Sequence, residues 1–148
     1  MSADTIFQIG NASVLIAWAA LVFLPGWKGT QWIAGLIWPA LLGAAYVALF
    51  AYGLAIEPEV EGGGFGSIAE VRALLSTDYA FTAGWFHYLA FDLFVGAWEV
   101  REARRIGLTH WAVIPCLLLT FMLGPAGLLL FLILRAVHQR KVTSLAAA

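Results

Sequence analysis

Two ionisable residues, His87 and Asp92, stand inside an apolar and aromatic stretch, Gly84-Trp85-Phe86-His87-Tyr88-Leu89-Ala90-Phe91-Asp92-Leu93-Phe94. One side chain that donates a proton and one that accepts it are the parts of general acid/base chemistry. On a helix, five residues separate them by about 7–8 Å along the axis and about 140° around it. They therefore face two walls of one elongated cleft rather than each other. An ionisable group at the middle of a membrane helix costs at least about 2.5–3.5 kcal/mol, so it usually faces the protein interior and marks a functional site. The plainer role is a polar clamp that holds helices together.

Counting depth from the helix ends suggests the neighbours. Asp92, Trp18 and Trp38 each lie six residues from a helix end on the same side. This puts the three in one layer, where indole N–H groups can donate to the carboxylate. By the same count His87 and Asn11 share a layer farther across. Trp18, Trp38, Trp85, Tyr88 and Phe91 would line an apolar groove, with Asn11 as a polar contact. Glu99, seven residues past Asp92, reads as a solvated helix end.

The elements that must hold these residues follow from apolar run length. A run of roughly 20 apolar residues crosses a bilayer as a helix. Four runs qualify, at about 6–24, 32–56, 80–98 and 111–134. The expected fold is an all-α, integral membrane four-helix bundle, one transmembrane domain over residues 1–148. Short loops at 25–31 and 99–110 make successive helices antiparallel. The long connection at 57–79 starts acidic (Glu57, Glu59, Glu61) and then becomes glycine-rich. It ends in Ser67-Ile68-Ala69-Glu70, a capping box for a short amphipathic helix between helices 2 and 3 that lies on the membrane surface. Pro115 and Gly124-Pro125-Ala126-Gly127 read as packing kinks in the fourth helix. With four spans the basic residues divide evenly. Lys28, Arg101, Arg104 and Arg105 stand against Arg72, Arg135, Arg140 and Lys141, so charge does not choose an orientation. Trp27, Trp32, Trp98 and Trp111 form a belt at one interface.

Composition agrees. Of 148 residues, 62% are hydrophobic and 11% charged, against about 25% charged in soluble domains; the mean hydropathy is +0.87. This excludes a soluble globular enzyme, a disordered tail and a basic nucleic-acid binder. The single cysteine, Cys116, excludes an intrachain disulfide and a cysteine metal cluster. Three histidines, one of them deep, are too few for a di-iron site or paired haem ligands. No metal and no cofactor is expected. The N-terminus carries no Lys or Arg before its apolar run, so that run reads as a retained helix rather than a signal peptide.

The stretch Gly84 to Glu99, with Arg101 to Leu108, His110, Ile114-Pro115-Cys116 and Gly124-Pro125-Ala126-Gly127-Leu128-Leu129, resembles the abscisic-acid-deficient-four family. The resemblance runs over roughly residues 7 to 135. The plant chloroplast member of that family is associated with neoxanthin synthesis. With no transit peptide in front, the resemblance suggests a bacterial relative in an inner membrane. It implies a carotenoid or another long apolar lipid as partner, and an isomerisation such as epoxide opening. That reaction needs a proton donor and a base, but no metal and no flavin. Asp92 and His87 would divide those roles. The alternatives are a carotenoid-binding protein without activity and a structural subunit of a larger membrane complex. Small-residue faces on the second and fourth helices would also allow a homodimer.

Overall fold

The computed structural model describes residues 1–56 and 61–146, with the side chains of 141, 145 and 146 left aside. Glu57 and Glu59, the acidic start of the long connection, lie outside the described residues. Six helices and no strand are found among them: α1 Ala3–Phe23, α2 Lys28–Ile56, α3 Ile68–Leu74, α4 Asp78–Ile106, α5 His110–Leu123 and α6 Pro125–Ala146. The all-α expectation holds. By length and composition, α1 and α2 are apolar enough to cross a membrane, and α5 is a shorter apolar helix.

Local chemistry sets the ends. Ser2 caps α1 by accepting from the Thr5 N–H, and the chain breaks at Leu24, ahead of Pro25-Gly26. In α2 the residues Ile33–Ile37 widen into a π-turn. Pro39 has no N–H and its ring crowds the carbonyl four residues back, that of Gly35; the wider turn relieves both. The Ser67 half of the expected capping box of α3 forms, while its Glu70 half reaches one residue farther back, to Gly66. Ser67 accepts from the Glu70 N–H at 3.2 Å, and the Glu70 carboxylate accepts from the Gly66 N–H at 2.9 Å. Ile68, Val71 and Leu75 on this helix are exposed, together with Phe65 before it. Thr77 caps α4, and Gly107 ends it in the left-handed region at φ 72°. α4 thus runs two turns past the apolar stretch at 80–98. The continuation is held by Arg105 paired with Glu102 one turn earlier, and by Arg104 donating to the Pro25 carbonyl. Only residues 107–109 separate α4 from α5.

The main departure from the expected bundle is at 111–134. This run is two helices, and the second turns back. At Gly124 the chain takes φ 34° and ψ −87°, a conformation open to glycine, and Pro125 restarts the helix at a position where its missing N–H is no loss. A Cβ on Gly127 would overlap the Thr120 backbone and lie 2.5 Å from the Cys116 carbonyl oxygen, so the two backbones touch. Farther along α6, Arg135 meets Glu102 at 2.7 Å and a His138 ring nitrogen lies 3.1 Å from the Ile106 carbonyl. Those partners sit where α4 ends and α5 begins. A straight helix from His110 would carry Arg135 more than 30 Å away from that end at 1.5 Å per residue. α5 and α6 are therefore a hairpin that enters from one end of the bundle and leaves by the same end.

Three long helices, α1, α2 and α4, run the full height, and the hairpin covers part of it. The C-terminal ends of α1, α4 and α6 share one end with the start of α2 and α5; His110 lies 2.9 Å from the Val22 carbonyl there. The opposite end holds Met1, the connection before α4 and Tyr79, whose hydroxyl donates to the Met1 carbonyl. The even division of basic residues is overturned. Among the described residues, Lys28, Arg101, Arg104, Arg105, Arg135 and Arg140 all belong to the first end, and Arg72 to the other. We call these the basic end and the loop end. Trp27, Trp32 and Trp111 are exposed near the basic end, while Trp98 turns inward onto Phe131, ring centres 5.3 Å apart.

The core lies between α4 and its neighbours: Leu21 from α1, Leu93, Ala97 and Val100 from α4, Val113 and Leu117 from α5, and Phe131 from α6 are fully buried. Two glycines let large rings in. Phe86 occupies the place of a Gly10 side chain, and Trp18 lies 2.7 Å from where a Gly96 Cβ would be.

Candidate functional site

Asp92 is the midpoint of α4, fourteen residues from Asp78 and fourteen from Ile106. The hairpin turn stands directly against it: a Cβ on Gly124 would lie 2.6 Å from Asp92 Oδ1. Gly124 thus serves twice, by its positive φ and by leaving room for the carboxylate. Asp92 Oδ2 is buried and has no hydrogen-bond partner. Tyr88, one turn earlier on α4, faces the same carboxylate through its hydroxyl. A buried polar atom left unpaired costs about 1–3 kcal/mol, so such an atom calls for a role.

Trp85, Tyr88, Asp92 and Glu99 are spaced 3, 4 and 7 residues apart, which places them on one stripe of α4. Toward the loop end this stripe is aromatic. The Trp85 indole N–H donates to Asn11 Oδ1 on α1 at 3.2 Å, and its ring contacts Tyr88 at 5.1 Å and Phe7 at 5.5 Å between centres. These half-buried rings form a ledge that leads to Asp92 just beyond the hairpin turn. Toward the basic end the stripe passes under the hairpin. Glu99, expected as a solvated helix end, is instead fully buried there. Thr120 of α5 donates its hydroxyl to Glu99 Oε1 at 3.0 Å, and Oε2 is buried without a partner.

The other expected residues separate. His87 is exposed on the outer side of α4, stacked on Phe91 with ring centres 4.6 Å apart and edge-on to Tyr46 of α2 at 5.7 Å. The 140° between His87 and Asp92 directs them to different surfaces, not to two walls of one cleft. Phe91 stays with His87, 60% exposed. The single layer of Asp92, Trp18 and Trp38 does not form. Trp18 packs on Gly96 and edge-on to Phe121, one turn nearer the basic end than Asp92. The Trp38 indole donates to Ser13 Oγ at 3.3 Å. It borders a separate apolar groove of about 300 Å³ between α1 and α2, floored by Phe86. Depth counting failed because helix ends do not lie at one level, so the height of Trp18 is off by a turn, and because the count leaves azimuth free. Tyr88 is brought to Asp92, with Trp85 packed on Tyr88 and Asn11 bonded to Trp85 farther along the stripe; Trp18, Trp38, Phe91 and His87 are not. Glu99, Thr120 and Gly124 were missed as site residues. The seven-residue spacing of Asp92 and Glu99 was visible, but the return of the hairpin over Glu99 was not.

At the basic end Glu102 closes the hairpin. Its carboxylate accepts from Arg105 at 2.6 and 2.7 Å and from Arg135 at 2.7 Å. These bonds, Arg105 first, hold its carboxyl down at about 2 despite some desolvation. Among the described residues no group of three or more His, Cys, Asp or Glu is placed to hold a metal ion.

The architecture is that of an all-helical protein with apolar helices of membrane-crossing length and a polar stripe at its centre. Its sequence matches the model of the ABA DEFICIENT 4-like family over residues 5–131, and the chain belongs to that family. No curated protein and no solved structure matches it.

Proposed function

We propose that this chain is an integral membrane protein that acts on a carotenoid by acid/base isomerisation, with Asp92 as the acid. The observation that carries this reading is the partnerless Asp92 oxygen at the middle of α4, placed where the aromatic ledge of Trp85 and Tyr88 meets the hairpin turn. Family membership supports a reaction related to neoxanthin synthesis. A polyene lies flat on such rings, and stacked or edge-on contacts favour it. Its oxygenated end group would then reach Asp92.

In an epoxide opening the proton on Asp92 passes to the epoxide oxygen as the C–O bond breaks and a hydroxyl forms. A proton then leaves the adjacent polyene carbon as the new double bond forms. Asp92, now a carboxylate, takes that proton and is regenerated. Atoms and electrons balance without an oxidant. Tyr88 orients the carboxyl group. His87, on the outer face, has no part in this sequence.

The test is Asp92→Asn in a carotenoid-producing host, with pigments extracted and the visible spectrum of the purified protein recorded. Wild type should yield a converted pigment or carry a polyene band. Asp92→Asn should abolish conversion while keeping the band. Conversion at the wild-type rate would remove Asp92 from the chemistry. Pigment bound but never converted would make the protein a binder, and protein partners without pigment would make it a structural subunit.

A further inference from the structure

Charge is sorted by end in this molecule. Among the described residues, Asp4, Glu61, Glu70 and Asp78 belong to the loop end with Arg72, and six basic residues share the basic end. The carboxylates nearest those six are Glu99, which is fully buried, and Glu102, which already accepts from Arg105 and Arg135. Among the described residues no acid pairs with Lys28, Arg101 or Arg104.

The two arginines are nevertheless held in place. Arg101 Nη1 donates to Gln31 Oε1 on α2 at 3.2 Å, and the Gln31 amide donates to the Ala97 carbonyl, one turn back on α4, at 3.2 Å. Arg104 Nη1 donates to the Pro25 carbonyl at 3.0 Å, in the turn between α1 and α2. That turn is itself pinned, because the Thr30 hydroxyl donates to the Leu24 carbonyl at 2.7 Å. Lys28 is exposed and opens α2 one turn before Gln31. Each arginine thus rests on a neutral oxygen, which orients the guanidinium without compensating its charge. Each keeps further N–H donors free. Arg101 and Arg104 stand three residues apart and are neighbours on the surface of α4, where like charges repel unless an anion joins them. Oriented guanidinium groups take phosphate oxygens through paired, charge-assisted bonds.

The surroundings favour a lipid phosphate over a dissolved one. Trp27 and Trp32, exposed on either side of Lys28 in the sequence, are the kind of ring that settles at headgroup level. Phe94, seven residues before Arg101 and therefore on the same face of α4, is exposed as well. The cations stand at the head of an apolar track, as a lipid phosphate stands above its acyl chains.

We propose that Arg101 and Arg104, with Lys28, bind the phosphate of an anionic phospholipid at the basic end, with an acyl chain along the outer face of α4. The inference rests on the membrane-spanning part of the reading above and is independent of the isomerisation.

The full chain, purified in a neutral detergent, is titrated with phosphatidylglycerol or with phosphatidylcholine of the same acyl chains, and retained lipid is counted by native mass spectrometry. Wild type should retain phosphatidylglycerol in preference. Arg101→Gln/Arg104→Gln should weaken phosphatidylglycerol binding by about thirtyfold, equivalent to ~2 kcal/mol. Arg140→Gln, which removes a charge from the same end but not from the site, should stay within about twofold of wild type. Arg101→Gln alone should lose about fivefold, and decides the matter if the double variant does not fold, since its exposed side chain bonds only to Gln31. Equal retention of the two lipids would overturn the site, as would equal losses in Arg140→Gln and Arg101→Gln. Displacement of phosphatidylglycerol by inorganic phosphate at the same concentration would make the cations a site for a dissolved anion and overturn the lipid. The membrane reading is checked separately by alkaline extraction of host membranes: release of the chain would refute that reading, whereas a retained chain without lipid preference would refute the site alone.

Discussion

Gly127→Ala tests the hairpin, on which the site depends. The added methyl would overlap the Thr120 backbone and sit 2.5 Å from the Cys116 carbonyl oxygen, where ordinary contact begins at 3.4 Å. Both obstacles are backbone, so no rotamer change relieves them, and α5 and α6 must part by about 1 Å. Overpacking of this kind costs about 1–3 kcal/mol. The upper half applies here, because the Thr120–Glu99 and Arg135–Glu102 contacts loosen with it. A chain of this size loses about 2–4 °C of melting temperature per kcal/mol, so Gly127→Ala should melt about 5–10 °C below wild type. Gly43→Ala is the control. It lies in α2 with nothing within 4 Å of its added methyl, and replacing a helical glycine with alanine stabilises by about 0.5–1 kcal/mol. The assay is thermal unfolding of both variants in one detergent, followed by circular dichroism. If Gly127→Ala melts with Gly43→Ala at or above wild type, the helices do not fold back on each other.

Three further outcomes are expected. If, as proposed above, the protein spans a membrane with α1, α2 and α4 crossing and the hairpin returning, Ser67 and Gln139 face opposite sides, and the six basic residues favour the cytoplasmic side for the basic end. In a Cys116→Ser background, an impermeant thiol reagent added outside intact cells should label Ser67→Cys and spare Gln139→Cys; labelling of both from one side would restore four crossings. His87→Ala should leave pigment conversion within about twofold of wild type, since it sits on the outer face; a loss comparable to Asp92→Asn would return His87 to the site. Glu102 supplies a pH signature. Its carboxyl is held at about 2, below its ordinary 4.5, so its contribution to stability is complete above about 4.5 and is lost as the pH falls through about 2. The melting temperature of Glu102→Gln should therefore be lower than wild type at pH 6 and converge with it near pH 2; an unchanged gap at both would contradict the pairing.

Much of this protein could be read from residue order, and the limits are instructive. Run length located α1, α2 and α4, because a stretch of apolar residues has few other uses. Ser67 and Glu70 announced α3 through hydrogen bonds four residues long. Asp92 stood out because a carboxylate among aromatic rings is costly. The fold-back at Gly124 did not stand out, because hydropathy measures the length of an apolar run and is blind to its direction. A Gly-Pro pair kinks a helix or reverses it, depending on what the second half meets. Here it meets Glu102 and Ile106, residues that lie beyond the apolar stretch of α4 and were read as loop. The same error exposed Glu99 on paper and buried it in the structure. His87 and the tryptophans failed for a different reason: sequence spacing fixes the angle between residues of one helix, but not which angle faces a neighbour.

The returning hairpin also gives the molecule a shape. From the basic end to the level of Asp92 its cross-section holds five helices; from there to the loop end it holds three. Set in a bilayer, the protein displaces more lipid from one leaflet than from the other, like a wedge. Many copies side by side would expand the basic-end leaflet and favour a membrane that is convex on that side.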